Sequence, residues 1–201
     1  MGIGNFIKEQ FTRVLYKEVL QVGGYFHRQV WTNRVAADAD RILNDAVDNT
    51  VHTTFLAQPD FARLLSLVLS GAGTEEVIVA GTNIRGEAIS ETVTMNGATP
   101  VATTKAFKTV TSITFPNTAG SRTLDVGVLD ALGLDRCMSG NEVILATADG
   151  VYETTRPTVT FDSNEVEKNT VDLNTALDAA VDVVVDFIAT EININATATS
   201  A

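Results

Sequence analysis

The sequence has few of the residues on which cross-linking and catalysis depend. It holds one cysteine, Cys137, which excludes an intramolecular disulfide and a cysteine-based zinc cluster. The leucine and methionine near Cys137 predict a buried, inert thiol. No apolar run approaches the roughly 20 residues that a membrane-spanning helix needs, and the charged N-terminus is unlike the apolar region of a signal peptide. The sequence thus gives no indication of secretion or membrane insertion.

Recognisable motifs of enzymes are also missing. The sequence has no Gly-x-Ser-x-Gly element, so it offers no recognisable serine nucleophile for which His27 or His52 could act as the base. Gly71-Ala72-Gly73 lacks the third glycine of a dinucleotide-binding loop. The four aspartates within residues 38–48 do not have the spacing of a calcium loop, which favours a solvated acidic face or a helix cap. We therefore expect a non-enzymatic protein with no catalytic residue, no cofactor and no bound metal.

The charge is negative overall and unevenly distributed. A net charge of −11 argues against nucleic-acid binding, because that affinity depends on lysine and arginine. Residues 1–34 carry five basic and two acidic side chains, so they are net positive while the rest of the chain is strongly acidic. A basic arm on an acidic body suggests docking onto an acidic surface such as a neighbouring copy. The alternative is a helix that packs on its own domain.

The N-terminal part of the chain predicts an arm. Residues 3–22 have apolar side chains at intervals of three and four, which is typical of an amphipathic helix, and Gly23-Gly24 would end it. The aromatic cluster that follows either covers the edge of the core or anchors an interface. The predicted interface residues are Phe6, Ile7, Phe11, Leu15, Tyr25, Phe26 and Trp31. We divide the chain into a basic arm at 1–34, a body at 35–194 and a loosely held tail at 195–201.

From residue 51 onward the pattern is that of many short strands. Asn96-Gly97 and Asp149-Gly150 predict hairpins of type I′, while Gly81-Thr82 and Arg85-Gly86 predict further turns. We expect a mainly β fold, an antiparallel β-sandwich or barrel, with the N-terminal amphipathic helical arm attached. The expected strands are 51–57, 64–70, 76–80, 88–95, 106–115, 124–128, 142–148, 151–155, 158–161, 170–173 and 181–188.

Two segments are ambiguous at this level. Residues 36–48 favour either a short helix or an extended entry segment, because alanine and leucine promote a helix that four aspartates oppose. Residues 128–140 predict a short helical or looped insert.

The β segment also carries a family resemblance. The run from Gly81 to Ile113, GTNIRGEAISETVTMNGATPVATTKAFKTVTSI, resembles a β module of structural proteins in tailed bacteriophages. Residues 55–60, 126–127 with 130–134, and 169–174 with Leu177 extend the similarity, which covers about residues 51–188. The resemblance implies a non-enzymatic virion component.

The expected role is that of a capsid decoration (cement) protein that clamps neighbouring capsid subunits. The resemblance implies the major capsid protein as partner, a homo-oligomer with a trimer preferred, and a place in the virion after assembly in the host cytoplasm. Neither nucleic acid nor membrane is expected as a partner. One alternative is a neck, tail or baseplate component. Another is a host-surface or glycan-binding module, for which Tyr152 and Phe161 are the aromatic candidates.

Overall fold

The computed structural model describes residues 24–118 and 121–190, and this part of the chain is mainly β with antiparallel pairing throughout. The helix expected at 3–22 and the tail expected at 195–201 lie outside the described residues. The strands are β1 Tyr25–Trp31, β2 Asp38–Val47, β3 Thr50–His52, β4 Arg63–Leu69, β5 Glu76–Thr82, β6 Ala88–Thr94, β7 Val101–Ala102, β8 Thr109–Phe115, β9 Thr123–Gly133, β10 Val143–Ala148, β11 Val151–Tyr152, β12 Thr158–Thr160, β13 Thr170–Asp172 and β14 Val183–Ala189. One turn of 3₁₀ helix, Val166–Lys168, precedes β13.

The strands form three sheets. Sheet A has the order β1-β14-β10-β11, and sheet C has the order β3-β8-β5-β6. Sheet B has the order β12-β13-β9-β4-β7, with β2 also paired to β9. The mainly β, antiparallel architecture predicted from the turn spacing is therefore confirmed.

Two hydrophobic cores hold the sheets together. The first lies between sheets B and C and includes Phe107 and Phe115, both fully buried. The second lies between sheets A and B and includes Trp31 and Phe187. Strand β9 serves both cores, because its first half supplies Leu124, Val126 and Val128 to one and its end supplies Leu132 to the other. Burying these side chains provides the main driving force for folding.

The turn predicted at Asp149-Gly150 is confirmed. Both residues have positive φ, 50° and 74°, and the flanking Ala148 and Val151 pair across β10 and β11. This is the backbone that a type I′ hairpin requires.

The Asn96-Gly97 prediction is wrong in its detail. Only Gly97 of the two has a positive φ, 58°, and the amide of Thr99 donates to Asn96 O, so Asn96 opens the turn instead of lying inside it. The turn leads from β6 into the short β7 rather than joining two paired strands. The loop that contains Gly73 stabilises this turn, because Gly97 N donates to Gly73 O at 2.8 Å.

Of the two remaining turn predictions, one is confirmed and one is wrong. Gly86 has φ 83° and its amide donates to Asn83 O at 3.0 Å, which closes the loop between β5 and β6. Gly81 instead lies inside β5, beside a bulge. A Cβ on Gly81 would lie 2.0 Å from Thr109 O, so the glycine there allows close approach of β8 and is not part of a turn.

Three segments differ from their expected form. Residues 38–47 form strand β2, so the extended alternative holds; its register on β9 shifts twice, which explains the lack of a clear alternation. The helical or looped insert was predicted to begin at residue 128, but β9 continues to Gly133, so this start is too early. Residues 25–31 form β1, paired along its whole length with β14, so the expected boundary at residue 34 falls after a strand of the body.

Candidate functional site

Residues 76–115 build most of sheet C. Strands β5, β6 and β8 all fall within this range. Their inward side chains, including Val77, Val79 and Ile113, are fully buried in the first core. Because side chains alternate along a strand, the intervening residues form the opposite, outward face of the sheet. We call this surface the outer face of sheet C.

The outer face of sheet C consists mainly of short side chains, many of them hydroxyl-bearing. One row crosses all four strands, because Val51 and Ile78 both pair with Thr114 and Ile78 pairs with Thr92. Short β-branched side chains lose little rotamer freedom when they are covered, and the centres of protein interfaces are poor in charge. The members of the face include Val51, Glu76, Ile78, Ala80, Ser90, Thr92, Thr94, Ser112 and Thr114. Glu76, which pairs with Thr94 at the end of the β5–β6 ladder, brings a charge to the margin of the face.

Glu91, on strand β6, fixes a loop. Glu91 accepts hydrogen bonds from Thr104 N at 2.8 Å, Thr104 Oγ1 at 3.0 Å and Lys105 N at 3.0 Å. The loop between β7 and β8 is thereby held on β6, which is the edge strand of sheet C. Glu91 is therefore occupied in maintaining the sheet, and its carboxylate has a structural role.

Two further polar residues of the motif act in the same way. The side-chain oxygen of Asn83 accepts hydrogen bonds from Arg85 N and Glu87 N, which stabilises the β5–β6 loop. Thr103 Oγ1 accepts from Leu65 N at 2.9 Å and donates to Lys105 O at 2.9 Å, which ties that segment to β4. These contacts satisfy backbone groups of loops, which is the usual reason for buried Asn and Thr.

The segment between β12 and β13 is organised by Asp162 and Asn169. Asn169 is fully buried, and its side-chain oxygen accepts from Met138 N and Asp162 N. The Asp162 carboxylate accepts from Asn164 N at 2.7 Å and Glu165 N at 2.9 Å. These two backbone donors lower the pKa of Asp162 below its ordinary value, because they stabilise the ionised form. This carboxylate stabilises a loop.

A buried ionic cluster lies where the two cores meet, and sequence reasoning did not find it. Arg63 is fully buried on β4; it donates to Val35 O at 2.8 Å, Asp60 Oδ1 at 3.1 Å and Asp130 Oδ1 at 3.2 Å. Desolvation lowers the pKa of Arg63 from its very high ordinary value, and the two carboxylates oppose that effect. The side chain remains charged, so the cluster anchors the segment between β1 and β2.

The predicted interface residues have different surroundings. Trp31 is 2% exposed and packs edge-on against Phe61 with ring centroids 5.8 Å apart, so it belongs to the second core. Its assignment to an intermolecular interface does not fit this burial. Tyr25 and Phe26 are 39% and 47% exposed. The other four predicted interface residues, Phe6, Ile7, Phe11 and Leu15, lie outside the described residues.

The residues considered for chemistry have local structural roles. The His27 ring packs edge-on against Phe187 with centroids 5.3 Å apart, and its Nε2 lies 2.8 Å from Asp135 Oδ1 without the angles of a hydrogen bond. His52 Nε2 lies 2.9 Å from Val47 O. Cys137 is buried as predicted, and desolvation raises the pKa of its thiol.

The predicted acidic group lies on strand β2 and the turn that follows it, not on a helix. Asp45 N donates to Asp125 Oδ1 at 2.7 Å, and the Asp48 carboxylate accepts from the amide and hydroxyl of Thr118. Within residues 24–118 and 121–190, no group of three histidine, cysteine or acidic side chains is arranged to hold a metal ion.

A shallow groove of about 430 Å³ lies beside Tyr152, at the end of sheet A. Tyr152 and Phe161, the two aromatic candidates for glycan binding, are 66% and 48% exposed. The charged residues of the groove are engaged elsewhere: Glu153 accepts from backbone amides of the 174–175 segment, and Arg156 donates to backbone carbonyls of Asn141 and Val143. The groove therefore has an exposed aromatic ring but no charged group directed at a ligand.

The fold and these contacts define a class: an antiparallel β protein in which Asn83, Glu91 and Thr103 maintain loops and one sheet presents an outer face rich in hydroxyl groups. In the described part of the chain, no helix is long and apolar enough to cross a membrane. Comparison with protein-family models, with curated proteins and with solved structures found no match to this chain.

Proposed function

We propose that this protein is a non-enzymatic structural component of a tailed-phage virion, and specifically a capsid decoration protein. The observation that supports the proposal most strongly is the role that the phage-like run from Gly81 to Ile113 has in the fold. Its polar residues Asn83, Glu91 and Thr103 close loops, and its strands belong to a sheet whose outer face carries short, uncharged side chains at its centre. A run of residues that closes loops and forms a sheet face in this way provides a surface for a partner protein.

The partner we propose is the major capsid protein. A decoration protein stabilises a shell by burying area across the joints between capsid subunits, and binding to the assembled form favours that form by mass action. We propose attachment through the outer face of sheet C, together with a homo-oligomer in which three-fold symmetry matches the symmetry of a capsid lattice. The oligomer rests on analogy with proteins of this class.

The attachment surface can be tested by replacing its central apolar side chain. Ile78 is 41% exposed and lies in the row that crosses all four strands of sheet C. Ile78→Arg places a charge at the centre of the contact, and we expect binding to particles that lack this protein to fall at least tenfold. Sedimentation of purified variant with such particles measures the bound fraction.

Val151→Arg is the matched control, because Val151 is 69% exposed on sheet A, away from the proposed contact. We expect this variant to bind as the unmodified protein does, and both variants to retain the same thermal unfolding. Unchanged particle binding by folded Ile78→Arg would show that the outer face of sheet C is not the attachment surface.

A further inference from the structure

A lysine, a glutamate and an asparagine meet where the loops beside sheet C approach the 3₁₀ turn. The Glu167 carboxylate lies between the other two side chains. Its Oε1 is 3.6 Å from Lys105 Nζ, and its Oε2 accepts a hydrogen bond from Asn83 Nδ2 at 3.3 Å. An amine and a carboxamide that share one carboxylate are the groups that acyl transfer to the amine requires, because the carboxylate can move protons between them.

Backbone hydrogen bonds hold the segments that carry these three side chains against each other. The amide of the residue after Lys105 donates to Glu167 O at 2.7 Å. Lys108 N donates to Thr82 O, the carbonyl directly before Asn83, at 2.8 Å. The end of β5, the segment between β7 and β8 and the 3₁₀ turn are therefore tied together at this place, so the encounter of the three side chains is built into the fold.

The Asn83 carboxamide is held in an orientation that suits nucleophilic attack. Its oxygen accepts hydrogen bonds from Arg85 N at 3.0 Å and Glu87 N at 3.1 Å. Two backbone N–H groups on one carbonyl oxygen polarise it and stabilise the negative charge that develops there, as in an oxyanion hole. The amide nitrogen donates to Glu87 Oε2 at 2.7 Å as well as to Glu167, so the leaving group faces two carboxylates.

Water has little access to the reacting groups. Asn83 is 1% exposed, Glu167 is 9% exposed, and the side chain of Lys105 is 21% exposed. Exclusion of water favours attack by the amine over hydrolysis of the amide, and it strengthens the electrostatic contacts inside the site. The flexible four-carbon stem of Lys105 lets Nζ move from the Glu167 carboxylate toward the Asn83 carboxamide.

We propose that Lys105 and Asn83 form an intramolecular isopeptide bond, with Glu167 as the catalytic acid–base group. Glu167 takes a proton from the Lys105 ammonium, and the resulting amine attacks Asn83 Cγ. The Nζ–Cγ bond forms and the Cγ–Nδ2 bond breaks. Glu167 passes its proton to Nδ2, which leaves as ammonia, and accepts the second proton that Nζ loses and releases it to solvent. The reaction consumes no oxidant, reductant or co-reactant.

The bond joins the β5–β6 loop to the segment between β7 and β8. A covalent link of this kind restricts the unfolded chain and thereby stabilises the fold. It forms once in each molecule, so it is a maturation step of a structural protein and not catalytic turnover. This inference is independent of the proposed function, because the reaction needs only residues of this chain.

Mass spectrometry of the purified full chain tests the proposal. We expect the folded protein to have lost the mass of one ammonia molecule. Trypsin should release a branched peptide in which residues 64–85 are joined to residues 86–108, because acylated Lys105 is no longer a cleavage site. The peptide map separates this product from ring closure at Asn96-Gly97, which releases ammonia without joining the two peptides.

Three variants assign the roles. Lys105→Arg keeps the positive charge but removes the amine nucleophile, and it should abolish the branched peptide. Lys108→Arg is the matched control, a nearby lysine outside the contact with Glu167, and it should leave the branched peptide intact. Glu167→Gln should slow formation of the bond by roughly 100-fold or more, as expected for loss of a positioned acid–base group. The rise of the branched fraction with time after a pulse of synthesis measures this rate.

Each other outcome overturns the proposal. Folded protein of the original sequence without the branched peptide shows that the bond does not form, and this result alone decides if a variant fails to fold. A branched peptide in Lys105→Arg shows that another group is the nucleophile. An unchanged rate in folded Glu167→Gln shows that Glu167 is not the acid–base group. The assay uses isolated protein, so its result does not depend on whether the protein binds capsids.

Discussion

Replacing Arg63 with methionine is expected to lower the free energy of unfolding by about 3 kcal/mol, one of the two largest effects in this chain. Methionine fills much of the same volume but leaves the Asp60 and Asp130 carboxylates without their shared cation. The destabilisation comes from the two partly buried carboxylates that lose their cation, and not from the apolar methionine side chain itself. For a protein of this size the loss corresponds to a fall in melting temperature of roughly 6–12 °C.

Urea denaturation followed by circular dichroism measures the effect, and two variants locate its cause. Adding Asp60→Asn and Asp130→Asn to Arg63→Met should restore part of the lost stability, because neutral amides no longer require the cation. Lys168→Met removes a cation from a solvent-exposed pair with Glu165 and should change the stability little. Equal losses in Arg63→Met and Lys168→Met would contradict the assigned role of the buried cluster.

Gly127→Ala is expected to destabilise the body by a similar or larger amount. The added Cβ would lie 1.8 Å from Asp38 O and 2.4 Å from Ala39 C, both backbone atoms of β2. No side-chain rotation relieves contacts with backbone, so β2 must move away from β9. We expect a cost at or above the upper end of the roughly 1–3 kcal/mol found for overpacked sites.

Gly140→Ala is the control for this substitution, because its nearest atoms belong to Glu142 and lie 3.8 Å away. Its stability should stay within about 1 kcal/mol of the original, since only the unfolded chain loses freedom. Hydrogen exchange should show faster exchange in β2 for Gly127→Ala alone. A Gly127→Ala protein as stable as Gly140→Ala would mean that β2 does not pack closely over Gly127.

Much of the fold could be predicted because its signals are local. Alternating β-branched residues and turn dipeptides identified most strands, and Asp149-Gly150 identified its hairpin, since a type I′ turn selects those residues directly. Strand β2 was ambiguous because two register shifts remove its alternation. Strand β1 was missed because two aromatic residues, Tyr25 and Phe26, begin it and suggest a cluster rather than a strand.

The features of the candidate site depend on contacts between distant residues. In the sequence Gly81 reads as a turn signal and Gly127 gives no signal. In the structure each of them permits the close approach of another strand. Arg63 reads as an ordinary surface cation. Its partner Asp60 is only three residues away, but its second partner, Asp130, is brought to it by the pairing of β4 with β9. The hydroxyl-rich face was detectable in outline, because serine and threonine recur at every second position of β6.

Counting this protein in intact virions tests the central proposal most directly. Under the proposal, quantitative mass spectrometry of phage particles purified from a source that encodes this chain gives its ratio to the major capsid protein, and imaging of labelled particles locates it. A capsid decoration protein should be present in hundreds of copies on the head. A dozen copies or fewer, or a position at the neck, tail or baseplate, would contradict the account.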